Sequence, residues 1–263
     1  MVTHVQQLLS LAGRNALVTG GSRGLGLQIA EALGEAGANV MLTSRKAADL
    51  EEAASQLCTR GISAQWIAAD ATDAGEARQV VHAAVQRMGC IDILVNNAGA
   101  TWGALAEDHP LDAWDKVMTL NIRSVFVFSQ TVARASMIPR KNGRIINVAS
   151  VAGLRGNPPQ MTTIAYNTSK GALVNFTRAL AAEWGRHGIT VNALAPGFFP
   201  SKMTKGLLDS WGADKVAQAA PLQRLGDDDD LKGAAVLFAS AAGKHITGQV
   251  LAVDGGVSAV VAG

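Results

Sequence analysis

Short, continuously apolar runs, each bounded by small or turn-forming residues, recur along the 263-residue chain. They predict strands near 15–19, 39–43, 64–68, 91–95, 143–149, 189–194 and 249–253. Between them lie helical stretches near 24–36, 46–60, 74–88, 112–137, 164–186 and 229–241. A run such as Ile93-Leu94-Val95 is apolar at every position, the pattern of a strand covered by helices on both faces. Seven strands joined by helical crossovers imply an α/β fold, a doubly wound seven-stranded parallel sheet with helices on both faces. The rhythm breaks only at 198–220, where Phe198-Phe199-Pro200 is followed by scattered Met, Leu and Trp. Its place just beyond the carboxyl end of a strand predicts a substrate lid, with a packed loop of short helices as the alternative. No linker, repeat or low-complexity tract divides residues 1–263, so a single domain is expected.

Composition narrows this reading by exclusion. A mass of 27.2 kDa with 48% hydrophobic residues suits one domain with a large core. A net charge of +2 makes no electrostatic case for nucleic acid or an anionic membrane. No run reaches the ~18 apolar residues of a membrane span, and Met1 to Arg14 lacks the pattern of a secretory leader. A soluble, cytoplasmic protein is the expectation. Cys58 and Cys90 form no close pair and are read as structural. The five histidines, His4, His82, His109, His187 and His245, show no metal-ligand spacing, so no metal site is expected.

Chemistry first appears at Thr19-Gly20-Gly21-Ser22-Arg23-Gly24-Leu25-Gly26, between the strand-like Asn15-Ala16-Leu17-Val18 and a helical stretch. Glycines there let the backbone turn with positive φ and approach a ligand, and the helix N-terminus offers free N–H groups to a phosphate. An ordinary glycine turn is the bland alternative, but strand, turn and helix come in the order that dinucleotide binding requires. The second strand ends Thr43-Ser44-Arg45, with Ser44 where a carboxylate would bond a ribose 2′-hydroxyl and repel a 2′-phosphate. Arg45 and Arg23 are suited to grip such a phosphate through charge-assisted bonds, which favours NADP(H) over NAD(H). Solvated surface charges are the competing reading of both.

The second signal is Tyr166 and Lys170, four residues apart and following Ser150 at the end of an apolar run. On a helix they share one face, so the ammonium is expected to favour the ionised phenol and lower its pKa. Taken alone, such a pair also arises on ordinary amphipathic helices.

With these motifs the sequence resembles the short-chain dehydrogenase/reductase family, collinearly from about Leu11 to Gly256. The resemblance includes Asn96-Asn97-Ala98-Gly99, Asn121, Ser150, the Tyr166/Lys170 pair, Pro196-Gly197 and Val253-Asp254-Gly255-Gly256. It implies a Rossmann fold and hydride transfer coupled to proton transfer. Ser150 would bond the substrate oxygen, Tyr166 would donate the proton, Lys170 would also bind the nicotinamide ribose, and Asn121 would hold a relay water. For the cofactor it implies contacts from Gly20, Ser22, Arg23, Gly24, Leu25 and Gly26, and from Ser44 and Arg45. Asp70 and Ala71 would lie at the adenine. Asn96, Asn97, Ala98 and Gly99 would line the adenosine side, and Pro196, Gly197, Phe199 and Ser201 would lie at the nicotinamide. A homotetramer is the implied assembly. The apolar faces of 112–137 and 164–186 and the tail Val257 to Ala262 agree with it.

Two departures stand out. The stretch Gly156-Asn157-Pro158-Pro159-Gln160-Met161-Thr162-Thr163 holds about three residues more than is common in the family. It is read either as shaping the substrate rim or as a neutral bulge. Gly226-Asp227-Asp228-Asp229-Asp230 lacks the usual proline, and its aspartates are expected to cap a helix. Among family members, Thr101-Trp102-Gly103-Ala104 and Phe199 to Thr204 are most similar to 3-oxoacyl thioester reductases, with gluconate 5-dehydrogenase-like members close behind. Arg155, Lys202 and Lys205 are read either as candidates for a thioester's phosphates or as ordinary surface charges, while Trp102, Leu154, Met161, Phe198 and Phe199 predict an apolar pocket. A dinucleotide-binding regulator without turnover is the non-enzymatic alternative, against which the complete Ser, Tyr and Lys set weighs.

Overall fold

A computed structural model describes residues 3–260, so Val261 and Ala262 of the apolar tail lie outside the described residues. The sheet is seven-stranded and wholly parallel, in the order β3-β2-β1-β4-β5-β6-β7. Its strands are β1 (Asn15–Thr19), β2 (Asn39–Ser44), β3 (Ala64–Ala68), β4 (Ile93–Asn96), β5 (Gly143–Val148), β6 (Ile189–Pro196) and β7 (Val250–Val253). The order reverses between β1 and β4, so the chains leaving their carboxyl ends diverge and open a crevice there.

Side-chain alternation on the strands feeds two apolar layers. A short α1 (Val5–Leu9) precedes the sheet, and Val18 and Leu42 pack with α2 (Gly24–Glu35), α3 (Ala47–Thr59) and α11 (Lys232–Ala239), through Ile29, Leu33, Leu50, Leu57 and Phe238. Leu17, Met41 and Leu94 face the other way, onto α4 (Ala74–Met88), α6 (Ser124–Val132) and α8 (Ile164–Trp184), through Val80, Val81, Phe128 and Leu180. Each fully buried side chain of this size contributes about 2 kcal/mol of transfer free energy, and both layers are continuous along the sheet. Local signals set the ends of α4: Asp73 accepts the N–H groups of Gly75 and Glu76, and Gly89 closes the helix at φ 81°.

Several boundaries move from their sequence positions. Strand β4 begins at Ile93 rather than at 91, because the Ile91 N–H donates to the Ser136 hydroxyl instead of to a neighbouring strand. The segment expected as a helix over 112–137 is α5 (Leu111–Met118), α6 and α7 (Ile138–Arg140), joined by π turns at Thr119–Arg123 and Ala133–Met137. Such turns insert one residue into the helical register and commonly mark functional sites, and Asn121 sits in the first. The region 198–220 carries a turn and two short helices, α9 (Lys205–Trp211) and α10 (Ala213–Gln218). The aspartates do not cap α11, which starts at Lys232 after Leu231 and has no side-chain cap. Asp230 instead takes Arg224 in a two-pronged contact, Asp229 pairs with Lys232, and Asp228 accepts from Gln28 on α2 at 2.6 Å. These bonds satisfy the carboxylates before a helix terminus is within reach.

Beneath the sheet, at the amino ends of the strands, Asp92 gathers Arg14 at 3.3 Å and Arg140, and accepts the Asn15 N–H at 3.0 Å. Burial works against the charged carboxylate. The Arg140 hydrogen bond, the Asn15 N–H and the two guanidinium charges outweigh it and hold Asp92 below the usual carboxylate range. A lowered carboxylate stabilises the fold above its unfolded pKa, and that contribution disappears as pH falls through the folded value. We expect Asp92→Asn to lose about 2–4 kcal/mol near neutrality, the lower end reflecting the partial exposure of both arginines. Urea titrations should show this difference shrinking as the pH is lowered into the acid range.

Candidate active site

The crevice above β1 and β4 is a cleft of about 850 Å³. Its base is held by reciprocal bonds between the two strand ends. Thr19 Oγ1 accepts the N–H groups of Asn97 and Ala98 at 3.0 and 3.1 Å. The Asn97 amide in turn donates to the carbonyls of Thr19 and Gly20 at 3.1 and 3.0 Å. Gly20, at φ 64°, passes so close to Asn97 and Ala98 that a Cβ would lie 2.9 Å from each. Gly24, at φ 53°, has open space where a side chain would point, and there α2 begins without a side-chain cap. Free N–H groups facing an open cradle are what a diphosphate requires. Gly26 does not line the cleft; it lies beneath the loop, where a Cβ would run into Asn97 and the Gly20 carbonyl.

One arm of the cleft is lined by Arg23, Ser44, Arg45, Lys46, Asp49, Asp70 and Ala71. The Asp70 carboxylate caps its own turn, accepting the N–H and hydroxyl of Thr72 at 2.9 and 2.7 Å. Those bonds, the Thr72 N–H above all, hold it below the usual carboxylate range against the opposing effect of burial, with a smaller contribution from the Arg45 charge. The donor set suits an anion. Both guanidinium groups reach this arm, and no carboxylate stands at Ser44.

The other arm contains the chemistry. Tyr166 and Lys170 lie on the first turns of α8, as their spacing predicts, and both line the cleft with Ser150. Lys170 is buried and donates to the Val148 carbonyl at 2.7 Å, with Nζ 5.6 Å from the centre of the Tyr166 ring. Gly153 permits this contact between elements. Its turn rests on the Lys170 backbone, where a Cβ would collide. Ser150 accepts the Ala152 N–H at 3.1 Å, so its own hydrogen can donate, to the Tyr166 phenol or to a substrate oxygen.

The electrostatics differ from the sequence expectation. Burial pushes the Tyr166 phenol above its ordinary value, opposed by a hydrogen bond to Ser150. Burial acts on the ammonium too and brings Lys170 down to about 8, so desolvation of the pair outweighs the lowering expected from their spacing.

The remaining expected residues fall into place unevenly. Asn97, Ala98, Gly99, Pro196, Gly197, Phe199 and Ser201 line the cleft together with Gly20, Ser22, Gly24 and Leu25. Asn96 does not; it is buried in the sheet, donating to Ser129 and Asn147. Asn121 is buried behind the lining. Its amide donates to Ala100 O and Ser169 Oγ, and its oxygen accepts the Ala100 N–H, all at 2.9 Å. One Oδ1 lone pair therefore remains for a relay water. Ser201 is engaged by Thr204, whose hydroxyl lies 3.0 Å away. Arg155 is not available at the mouth, since it donates to the carbonyls of Val257 and Val260. Lys202 lines the cleft and Lys205 does not. The long insert also stays off the lining and packs on the chain after β4, where Ala104 N–H donates to Thr162 O at 2.9 Å.

Sequence reasoning missed Thr19, Asp49, Lys46 and Thr204. Thr19 stood in the quoted glycine motif, and Asp49 lies one turn into the helix after Arg45, a spacing that points it back at the same arm. Among the described residues there is no group of three or more His, Cys, Asp or Glu side chains able to hold a metal, and no helix is long and apolar enough to cross a membrane.

Comparison with known proteins agrees with this geometry. The family described as short chain dehydrogenase matches residues 14–210. A gluconate 5-dehydrogenase of Gluconobacter oxydans is 42% identical over 252 residues, 95% of this chain and 97% of that protein. A rhamnolipids biosynthesis 3-oxoacyl-[acyl-carrier-protein] reductase of Pseudomonas aeruginosa is 41% identical over 251 residues, 94% of this chain and 97% of that protein. The solved structure of a gluconate 5-dehydrogenase from Burkholderia cenocepacia, in complex with NADP and tartrate, superposes with a TM-score of 0.92 at 37% identity. It covers 98% of this chain and 100% of that one.

The packing beneath the loop generates a test. Gly26→Ala forces the Gly20 carbonyl and Asn97 to move, so we expect dinucleotide affinity to fall about tenfold or more, displacements near 1 Å at such sites being costly. Fluorescence titration with NADPH, alongside far-ultraviolet circular dichroism to verify the fold, measures it.

Proposed function

The chain belongs to the short chain dehydrogenase family, and from that premise we propose that it uses NADPH to reduce a ketone to a secondary alcohol. The substrate we favour is a 3-oxoacyl thioester, carried on acyl carrier protein or coenzyme A. The observation that carries the reaction class is Ser150, Tyr166 and Lys170 lining one arm of a cleft whose other arm presents Arg23 and Arg45. Gly20 to Leu25 would hold the diphosphate of NADP(H), Arg23 and Arg45 its 2′-phosphate, and Gly99, Pro196, Gly197 and Ser201 the nicotinamide half. When bound, the cofactor supplies the hydride.

The chain's own residues supply position and the proton. Ser150 donates to the ketone oxygen and fixes it beside the phenol. Because burial raises the Tyr166 pKa, the phenol is protonated near neutrality and is ready to act as the acid. Lys170 is largely charged at pH 7 and stabilises the phenolate left behind, and Asn121 offers its remaining lone pair to the water that restores the proton. Residues 198–220 act as the substrate lid.

Substrate choice rests on the mouth. Trp102, Leu154 and Met203 are large exposed apolar side chains, each on a chain leaving the carboxyl end of a strand; Phe199 and Met203 line the cleft, and Trp102 and Leu154 do not. An acyl chain covers such a surface, while Lys202 is placed for a phosphate of the carrier arm. The 42% identity to a gluconate 5-dehydrogenase favours a second reading, reduction of a keto sugar acid, in which Lys202 would meet the carboxylate. We also propose a homotetramer, since Leu111, Phe126 and Leu251 are exposed on the flanking helices and the edge strand.

Cofactor oxidation with acetoacetyl-CoA and with 5-ketogluconate in parallel tests both readings. We expect turnover of the thioester, reduced about 10²–10⁴-fold in Tyr166→Phe; turnover of the keto acid alone would select the second reading. The pH profile is a separate check. Activity in the direction of reduction should decline as Lys170 loses its proton above about pH 8, seen in kcat/KM for NADPH, which reports the free enzyme. Lys170→Arg should carry no such limb.

A further inference from the structure

The phosphate arm of the cleft contains a carboxylate with little structural employment. Asp49 lies in the first turn of α3 and lines the cleft with Arg23, Ser44, Arg45 and Lys46. Its one partner among the described residues is Arg23, with Nη1 3.5 Å from Oδ2. Its side chain does not cap its own helix, since α3 begins at Ala47 after the N-cap Lys46 and has no side-chain cap; the charge in the first turn is its one favourable contribution there. Asp70, another carboxylate of the cleft, is different, being spent on the N–H and hydroxyl of Thr72. A half-exposed ion pair at 3.5 Å contributes little to stability, so the contact has no evident worth to the fold. It does hold one of the two guanidinium groups on which a 2′-phosphate would depend.

We propose that Asp49 sets how strongly this cleft distinguishes a dinucleotide with a ribose 2′-phosphate from one with a 2′-hydroxyl. The inference rests on the cofactor reading above. A phosphomonoester carries −1.5 to −2 charges near neutrality, and to be gripped by Arg23 it must displace Asp49 and then remain a few ångströms from a like charge. A 2′-hydroxyl meets neither cost, and the same carboxylate can accept its hydrogen. Asp49 thus narrows the preference that Arg23 and Arg45 create, and leaves the cleft competent for both forms. The effect is electrostatic and weakens as added salt shortens the screening length.

The test is the ratio of dissociation constants for NADPH and NADH, measured by fluorescence titration at low salt. In Asp49→Asn we expect NADPH to bind about three- to tenfold more tightly, the range for removing one partly screened unit charge at this distance. NADH should change less than twofold or weaken. In an Arg23→Gln background the same substitution should alter NADPH binding by less than half as much, because the competition for Arg23 is gone. A ratio that is unchanged or falls in Asp49→Asn overturns the inference, as does a gain of the same size without Arg23. Asp49→Ser provides the same comparison if the asparagine variant fails to fold. Wild-type protein that binds neither dinucleotide overturns the cofactor reading itself, whereas NADPH binding with a ratio insensitive to Asp49 overturns only this proposal.

Discussion

The bonds between Thr19 and Asn97 are the constraint on which the site depends. Where the chains leaving two paired parallel strands diverge at a topological switch, the next backbone groups have no sheet partners, and buried polar groups without partners are costly. Thr19 and Asn97 satisfy them reciprocally, joining the carboxyl end of β1 to that of β4. The glycine loop is thereby fixed from below, with Gly20 and Gly26 packed against the same amide. Because that anchorage spends the side chains downward, the upper surface of the loop is left as bare backbone N–H at a helix start, which is the only chemistry a diphosphate needs.

The same economy governs the reactive arm. A lysine buried as deeply as Lys170 is tolerated because Val148 O accepts from it, and Val148 is the last residue of β5, two before Ser150. One bond therefore sets the ammonium, the start of α8 and the strand end bearing the serine in a common frame. Gly153 closes that frame by letting the serine's turn lie flat on the lysine backbone. The raised phenol and the lowered ammonium follow from this enclosure rather than from the pair's mutual attraction, so burial is the larger effect here.

This ordering explains what was legible in the sequence and what was not. Strand positions, the parallel sheet, the glycine loop and the Tyr166/Lys170 face all follow from local spacing, which the structure keeps. Signals that depend on distant partners did not survive inspection of sequence alone. Arg155 looked like a free cation at the mouth, yet Val257 and Val260, over 100 residues away, take it. Asp227 to Asp230 looked like helix caps, but Arg224 and Gln28 compete for them more effectively. The direction of the Tyr166 shift was missed for the same reason. Spacing shows that a charge is near, but not how much water has been removed from around it.

The π turn at Thr119–Arg123 bears on why the mechanism requires a helix so far from the phenol in sequence. An uninterrupted helix from Leu111 would repeat its faces every 3.6 residues, and the one-residue insertion at this turn shifts the residues that follow onto a different face. Asn121 lies within the shift, with its amide on Ala100 and Ser169. Ala100 follows Asn97 on the chain leaving β4, and Ser169 precedes Lys170. The turn therefore couples the loop that would hold the cofactor to the residue that would charge the phenol. A break in helical register, which costs regular hydrogen bonding, is retained where two functional strand ends must be held at a fixed separation.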